Sequence, residues 1–127
     1  MDFEKYTERV RGFIQSAHSL ALREGNPQFT PEHLLKVLLD DPEGLCAGLI
    51  DRSGGNAKQA LKDVEAALKK LPSVSGGGAS QPAMSPVLAR IFDQAEKIAQ
   101  KAGDSYVTVE RLLLAFAMDR ESEAGKI

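Results

Sequence analysis

Gly25-Asn-Pro-Gln-Phe-Thr-Pro-Glu-His-Leu-Leu35 decides the reading of this chain, because it returns 78 positions later as Gly103-Asp-Ser-Tyr-Val-Thr-Val-Glu-Arg-Leu-Leu113. At that offset Ala17, Ala21, Gly25, Thr30, Glu32, Leu34 and Leu35 meet Ala95, Ala99, Gly103, Thr108, Glu110, Leu112 and Leu113 without a gap. Most other positions keep their character, such as Ile14 over Phe92 and Asn26 over Asp104. A period this long marks a duplicated supersecondary unit whose copies bury their apolar faces together. A duplicated helical unit more often builds a binding surface than a catalytic pocket.

Outward from the repeat, the helices announce their own limits. Val10, Phe13, Ile14, Ala17, Leu20 and Ala21 form the stripe of an amphipathic helix capped by Thr7 and ending near Glu24. Gly25-Asn-Pro27 stops it, and Thr30-Pro-Glu32 starts the next with a hydroxyl cap, a proline at the first helical position and an acid near the positive helix end. A short third helix is expected over Gly44 to Arg52 and a fourth from Asn56 through Lys70. Ser85-Pro86 opens a helix to Ala102, and Thr108 caps the last one, Val109 to Met118.

Leu71 to Pro82 is rich in Gly, Ser and Pro and reads as a connector. The expected organisation is a first repeat over 1–71, a flexible linker over 72–84 and a second repeat over 85–127. The expected fold class is all-α, two tandem pseudo-symmetric helical repeats packed into one globular domain. Arg120 to Ile127 looks like the start of a further helix, so the chain reads as a piece of a longer protein.

Composition excludes several functions. A net charge of −2 offers nothing to a phosphate backbone, so no nucleic-acid partner is expected. The second helices of both copies carry mostly Leu, Val and Ala, not the Arg, Lys, Asn or Gln of a DNA-reading helix. No run approaches the roughly 20 apolar residues of a membrane span, and charges occupy the place of a signal peptide's apolar stretch, so the cytoplasm is the expected location. The single cysteine, Cys46, lies among apolar residues and reads as a buried, inert thiol.

Catalytic and metal motifs are missing. His18 and His33 have no ligand at zinc spacing, and His33, third in its helix, reads as solvated or locally hydrogen-bonded. Asp40, Asp41 and Glu43 lack the spacing of a calcium loop and read as a solvated helix end. The triple glycine of the connector follows no strand and precedes no Gly-Lys-Ser, and Gly125-Lys126 has no glycine five residues earlier. No nucleotide, metal or catalytic residue is expected in this piece.

With the repeat and its caps in view, the sequence resembles the Clp amino-terminal repeat family of AAA+ unfoldases. The family pattern Thr-x-Glu-His-Leu-Leu matches Thr30-Pro-Glu-His-Leu-Leu35, and its second copy matches Thr108-Val-Glu-Arg-Leu-Leu113. Ala67-Leu-Lys-Lys-Leu-Pro-Ser-Val-Ser-Gly78 and Ala95-Glu-Lys-Ile-Ala-Gln-Lys-Ala-Gly-Asp-Ser-Tyr-Val107 are most similar to its ClpB-type disaggregase branch.

The resemblance implies a full-length homohexamer using ATP and Mg, working with a DnaK-type chaperone system on unfolded or aggregated polypeptides. It implies that this piece is its monomeric, substrate-binding amino-terminal domain; the alternative is an adaptor-docking domain of a ClpA- or ClpC-type unfoldase. It further implies a shallow groove between the repeats. Thr7, Asp104 and Glu110 would stand at its rim, with apolar contacts near Phe92 and Ile98 and the non-apolar Gln94 between them. Of the two apolar positions, Phe92 is expected to be partly exposed and Ile98 to belong to the core.

Overall fold

The structure is a computed structural model that describes residues 3–41, 44–52, 54–71, 82–104 and 106–118. Six helices run in order: α1 (Glu8–Arg23), α2 (Pro31–Leu39), α3 (Leu45–Arg52), α4 (Ala57–Lys69), α5 (Pro86–Lys101) and α6 (Val109–Met118). A 3-10 turn, Phe3–Lys5, precedes them, and two very short strands, β1 (Gln28–Phe29) and β2 (Ala83–Met84), lie ahead of α2 and α5. Among the described residues the fold is all-α apart from these two-residue segments.

The helices start where the caps predict. Thr7 and Ser85 are pseudo-equivalent, and their hydroxyl oxygens accept from the N–H of Val10 at 3.2 Å and of Leu88 at 3.1 Å. Each satisfies one backbone donor that the first helical turn leaves without a partner. Asn56 does the same for α4 through Gln59. Gly25 and Gly103, another equivalent pair, close α1 and α5 with φ of 69° and 78°, a region that a Cβ penalises.

In each copy the first helix packs on the helix that follows the turn, α1 on α2 and α5 on α6. Ala17 and Ala21 on α1, and Ala95 and Ala99 on α5, are buried at equivalent places, where a small side chain lets a neighbouring backbone approach. α4 covers α2, α3 joins them against α6, and α2 meets α5 across the centre. Leu34, Leu38, Leu88, Ile91 and Leu112 are fully buried there. Both second helices therefore turn most of their apolar residues inward, as core, with Leu114 the exposed exception among the large ones described.

Three expectations change at this level. Residues 72–81 of the connector lie outside the described residues, but Ala83 and Met84, assigned to it, are paired with Gln28 and Phe29. Backbone hydrogen bonds hold this end of the segment to the first repeat, which no glycine-serine spacer would require. Secondly, Asp41 is not a solvated helix end: its carboxylate accepts from Arg9 Nη2 at 3.0 Å and is largely shielded, while Asp40 meets Lys36 at 3.0 Å. Glu43 and the tail over 120–127 lie outside the described residues.

The third change concerns His33, where of the two expected settings the locally hydrogen-bonded one holds and the solvated one does not, the side chain being fully buried. Its Nδ1 accepts from the Thr30 backbone N–H at 3.0 Å and lies 2.8 Å from the Thr30 hydroxyl, so Nε2 carries the proton and donates to Asn26 Oδ1 at 2.8 Å. Both ring nitrogens are thus satisfied locally, and burial pushes the imidazole pKa down to about 4. Cys46 is buried as expected; desolvation, with the Asp41 carboxylate adding, pushes its thiol up to about 11.

Candidate functional site

The two repeats meet through reciprocal strand pairing. Phe29 pairs in parallel with Met84, and Tyr6 pairs in parallel with Val107. Shifting by 78 positions turns Phe29 into Val107 and Tyr6 into Met84, so each pairing is the other's pseudo-symmetric image. Hydrogen bonds follow the same rule: Ser85 N–H donates to Phe29 O at 2.9 Å, and Thr7 N–H donates to Val107 O at 3.2 Å. In both cases the segment leading into one copy's first helix is held by the segment leading into the other copy's second helix. The seam accordingly carries two equivalent places, one at each pairing.

At the Phe29–Met84 pairing the place is hollow. A groove of about 620 Å³ opens there, walled on one side by Ile14, Gln15, His18 and Ser19. Ile14 and His18, and Gln15 and Ser19, share this side of α1 because positions four apart in a helix stack on one face. Phe29, Pro82 and Met84 form the rest of the lining. The His18 ring stands edge-on to Phe29 with centroids 5.6 Å apart. An apolar surface with a few polar groups at its margin suits a ligand that is itself mostly apolar.

At the Tyr6–Val107 pairing the corresponding space holds protein. Tyr6 is completely buried, its ring tilted against Phe92 with centroids 5.8 Å apart. Its hydroxyl donates to Glu96 Oε2 at 2.8 Å, and Lys5 Nζ approaches the other oxygen of that carboxylate at 3.9 Å. Met84 and His18 are the counterparts of Tyr6 and Glu96. A longer aromatic side chain anchored to a carboxylate fills one place; a flexible thioether beside an imidazole leaves the other open.

Of the expected site residues, Thr7 and Phe92 lie at the Tyr6–Val107 pairing, and Asp104 and Glu110 flank Val107 in sequence. Thr7 caps α1 and is tied to Val107. Asp104 Oδ2 accepts from Arg111 Nε at 2.8 Å, both side chains about one-third exposed. Their counterparts are Asn26 and His33, which make the same turn-to-helix link in the first copy, so the Asp104 contact is half of a repeated clamp. Glu110 is exposed in the first turn of α6, where a carboxylate favours the helix dipole.

Phe92 and Ile98 exchange their expected places. Phe92 is 1% exposed, beneath Tyr6, whereas Ile98 is only partly buried against the core. The stripe of α5 gave no way to anticipate this, because the lid over Phe92 comes from the far end of the sequence. The groove lining was also missed. The available signal was the size mismatch at 78-residue spacing, Met84 against Tyr6 and His18 against Glu96.

Replacing Thr7 by Ala removes the cap bond to Val10 and leaves the backbone link to Val107 in place. A loss of about 1 kcal/mol is expected, read as a lower urea midpoint with an unchanged slope, and Thr7→Ser restores it. No change in midpoint for Thr7→Ala would deny the hydroxyl its capping role.

The Clp repeat (R) N-terminal domain family matches residues 5–127. The chain belongs to that family. Over its full length it is 66% identical to the chaperone protein ClpB of Rhodopseudomonas palustris (strain ATCC BAA-98 / CGA009), and it spans 14% of that protein. The Hsp104 N-terminal domain from Candida albicans is 27% identical with a TM-score of 0.79, over 95% of this chain and 82% of that one. A ClpV N-domain in complex with a VipB peptide gives a TM-score of 0.74 at 23% identity, over 95% and 72% of the two chains, a likeness of fold alone.

Among Clp repeat domains, then, this one is of the ClpB chaperone type, and its curated relatives are far longer chains. Among its described residues no helix is long and apolar enough to cross a membrane.

Proposed function

We propose that this domain captures unfolded or aggregated polypeptides for a ClpB-type, ATP-driven disaggregase. The observation that carries the reading is the open, largely apolar groove at the Phe29–Met84 pairing. An unfolded client presents apolar side chains and backbone without partners. A receptor for many such clients needs an adaptable apolar surface with a few polar groups, and Met84 and the α1 wall supply both. The peptide carried by the ClpV N-domain of the same fold is consistent with this use.

Thr7, Asp104 and Glu110 would extend the surface at the second pairing, contacting client N–H groups or basic residues beside apolar stretches. Ile98 would add apolar area there, and Phe92 would act from beneath by supporting Tyr6. In the full-length protein the domain would serve a cytoplasmic homohexamer that uses ATP and Mg and works with a DnaK-type chaperone system. The domain alone would be monomeric and hold no nucleotide.

Titrating the labelled domain with reduced, carboxymethylated lactalbumin, a permanently unfolded chain, tests the capture role. Expected shifts centre on Ile14, His18, Phe29 and Met84, with affinity on the order of micromolar or weaker, because a small groove repays little ordering entropy. Shifts confined to Thr7, Asp104 and Glu110 would move capture to the second pairing. Binding to a folded adaptor with no response to the unfolded chain would sink capture and favour the adaptor-docking reading.

A further inference from the structure

The two seam places offer an internal comparison, because one is empty and the other filled by a side chain of the protein itself. The filled place uses Phe92, Glu96 and Val107 to hold the ring and hydroxyl of Tyr6. The empty place presents Ile14, His18 and Phe29 at the same three positions. The apolar walls are retained, Ile14 for Phe92 and Phe29 for Val107. The hydrogen-bonding group is retained in kind, since a ring nitrogen of His18 can meet a hydroxyl where Glu96 accepts one. Met84 stands at the register of Tyr6, with Ile14 and Phe29 already covered to 2% and 3% exposure, while its own chain, His18 and the margin of Gln15 and Ser19 line the space that stays open.

We propose that the open seam groove takes an aromatic side chain of a polypeptide client, tyrosine above all, in the position that Tyr6 holds at the pseudo-equivalent place. This deepens the capture reading and rests on it. An aromatic ring has the apolar area to profit from covering Met84, and the half-buried His18 ring offers it a stacking partner above Phe29. Tyrosine gains over phenylalanine by a hydroxyl bond to His18, as Tyr6 gains one to Glu96. At the second place the ring position is taken by Tyr6 itself, so client contacts there are confined to the rim and the domain binds one aromatic anchor at a time.

The proposal is tested by comparing short, otherwise identical soluble peptides with Tyr, Phe, Leu or Ala at one central position, followed by NMR shifts of Ile14, His18 and Met84. Tyrosine should bind tightest and phenylalanine next. Leucine should follow about tenfold below tyrosine and alanine beyond measurement, as ring stacking and one hydrogen bond together imply. Saturation should come at one peptide per domain. In a second arm, Met84→Tyr combined with His18→Glu transplants the Tyr6–Glu96 pair into the groove, and tyrosine-peptide binding should fall by about tenfold or more.

Equal affinity of the leucine and tyrosine peptides at those residues overturns the aromatic preference, even where unfolded lactalbumin still shifts the groove. Full binding by the double variant overturns the equivalence of the two places. Silence of Ile14, His18 and Met84 toward peptides and unfolded lactalbumin alike overturns the groove as capture site and this inference with it. The peptide ranking uses the unaltered domain, so it stands whether or not the double variant folds.

Discussion

Phe92→Ala is expected to destabilise the domain by about 3–5 kcal/mol, the range for removing a fully buried phenylalanine and leaving a cavity. The cost has two sources on this protein. Phe92 is 1% exposed in the α5 core, and it is the surface on which Tyr6 rests. Emptying the space beneath Tyr6 loosens the Tyr6–Val107 pairing as well as the interior. For a chain of this length the melting temperature should drop by about 10 °C or more. Phe92→Leu should lose distinctly less, because it retains most of the volume. Weaker client binding with an unchanged melting temperature would show that Phe92 serves the surface and not the core.

Acid should destabilise the domain through His33. Its folded pKa of about 4 lies below the ordinary value of 6.5, so the unfolded chain binds the proton more readily. The stabilisation is complete above about pH 6.5 and is lost progressively as pH falls toward 4, amounting at most to about 3 kcal/mol. The geometry explains the direction: a proton on Nδ1 would face the Thr30 backbone N–H, which can only donate. Urea unfolding at pH 7 and pH 5 reads the loss, in a window where most carboxylates stay ionised. In parallel, the imidazole signals of His33 should hold their neutral shifts down to about pH 5. A ring that titrates near 6.5 would refute the buried, doubly bonded arrangement.

Much of the helical frame was legible because short-range chemistry writes it. Thr7, Ser85 and Asn56 cap their helices, Gly25 and Gly103 end theirs, and alanines recur at equivalent buried positions. The strand pairings were not legible, since two residues carry no alternation to read and the partners lie 55 and 101 positions apart. For the same reason Phe92 was expected to be partly exposed: Tyr6, which covers it, is remote in sequence. His33 defied its helix position because Asn26 and Thr30 together satisfy both ring nitrogens, making a polar side chain tolerable at the centre. Asp104 repeats the Asn26 position with a charge and Arg111 repeats His33, a substitution by pairs that no single residue discloses.

The exchange of leading segments has made the duplication indivisible. Each copy of the helix pair receives part of its edge from its twin, so a cut between them would leave two pieces, each missing a neighbour it cannot supply. Evolution, too, is bound by that barter: a residue altered ahead of α1 alters the approach to α6, and the halves can drift apart in sequence only while keeping in step where they clasp.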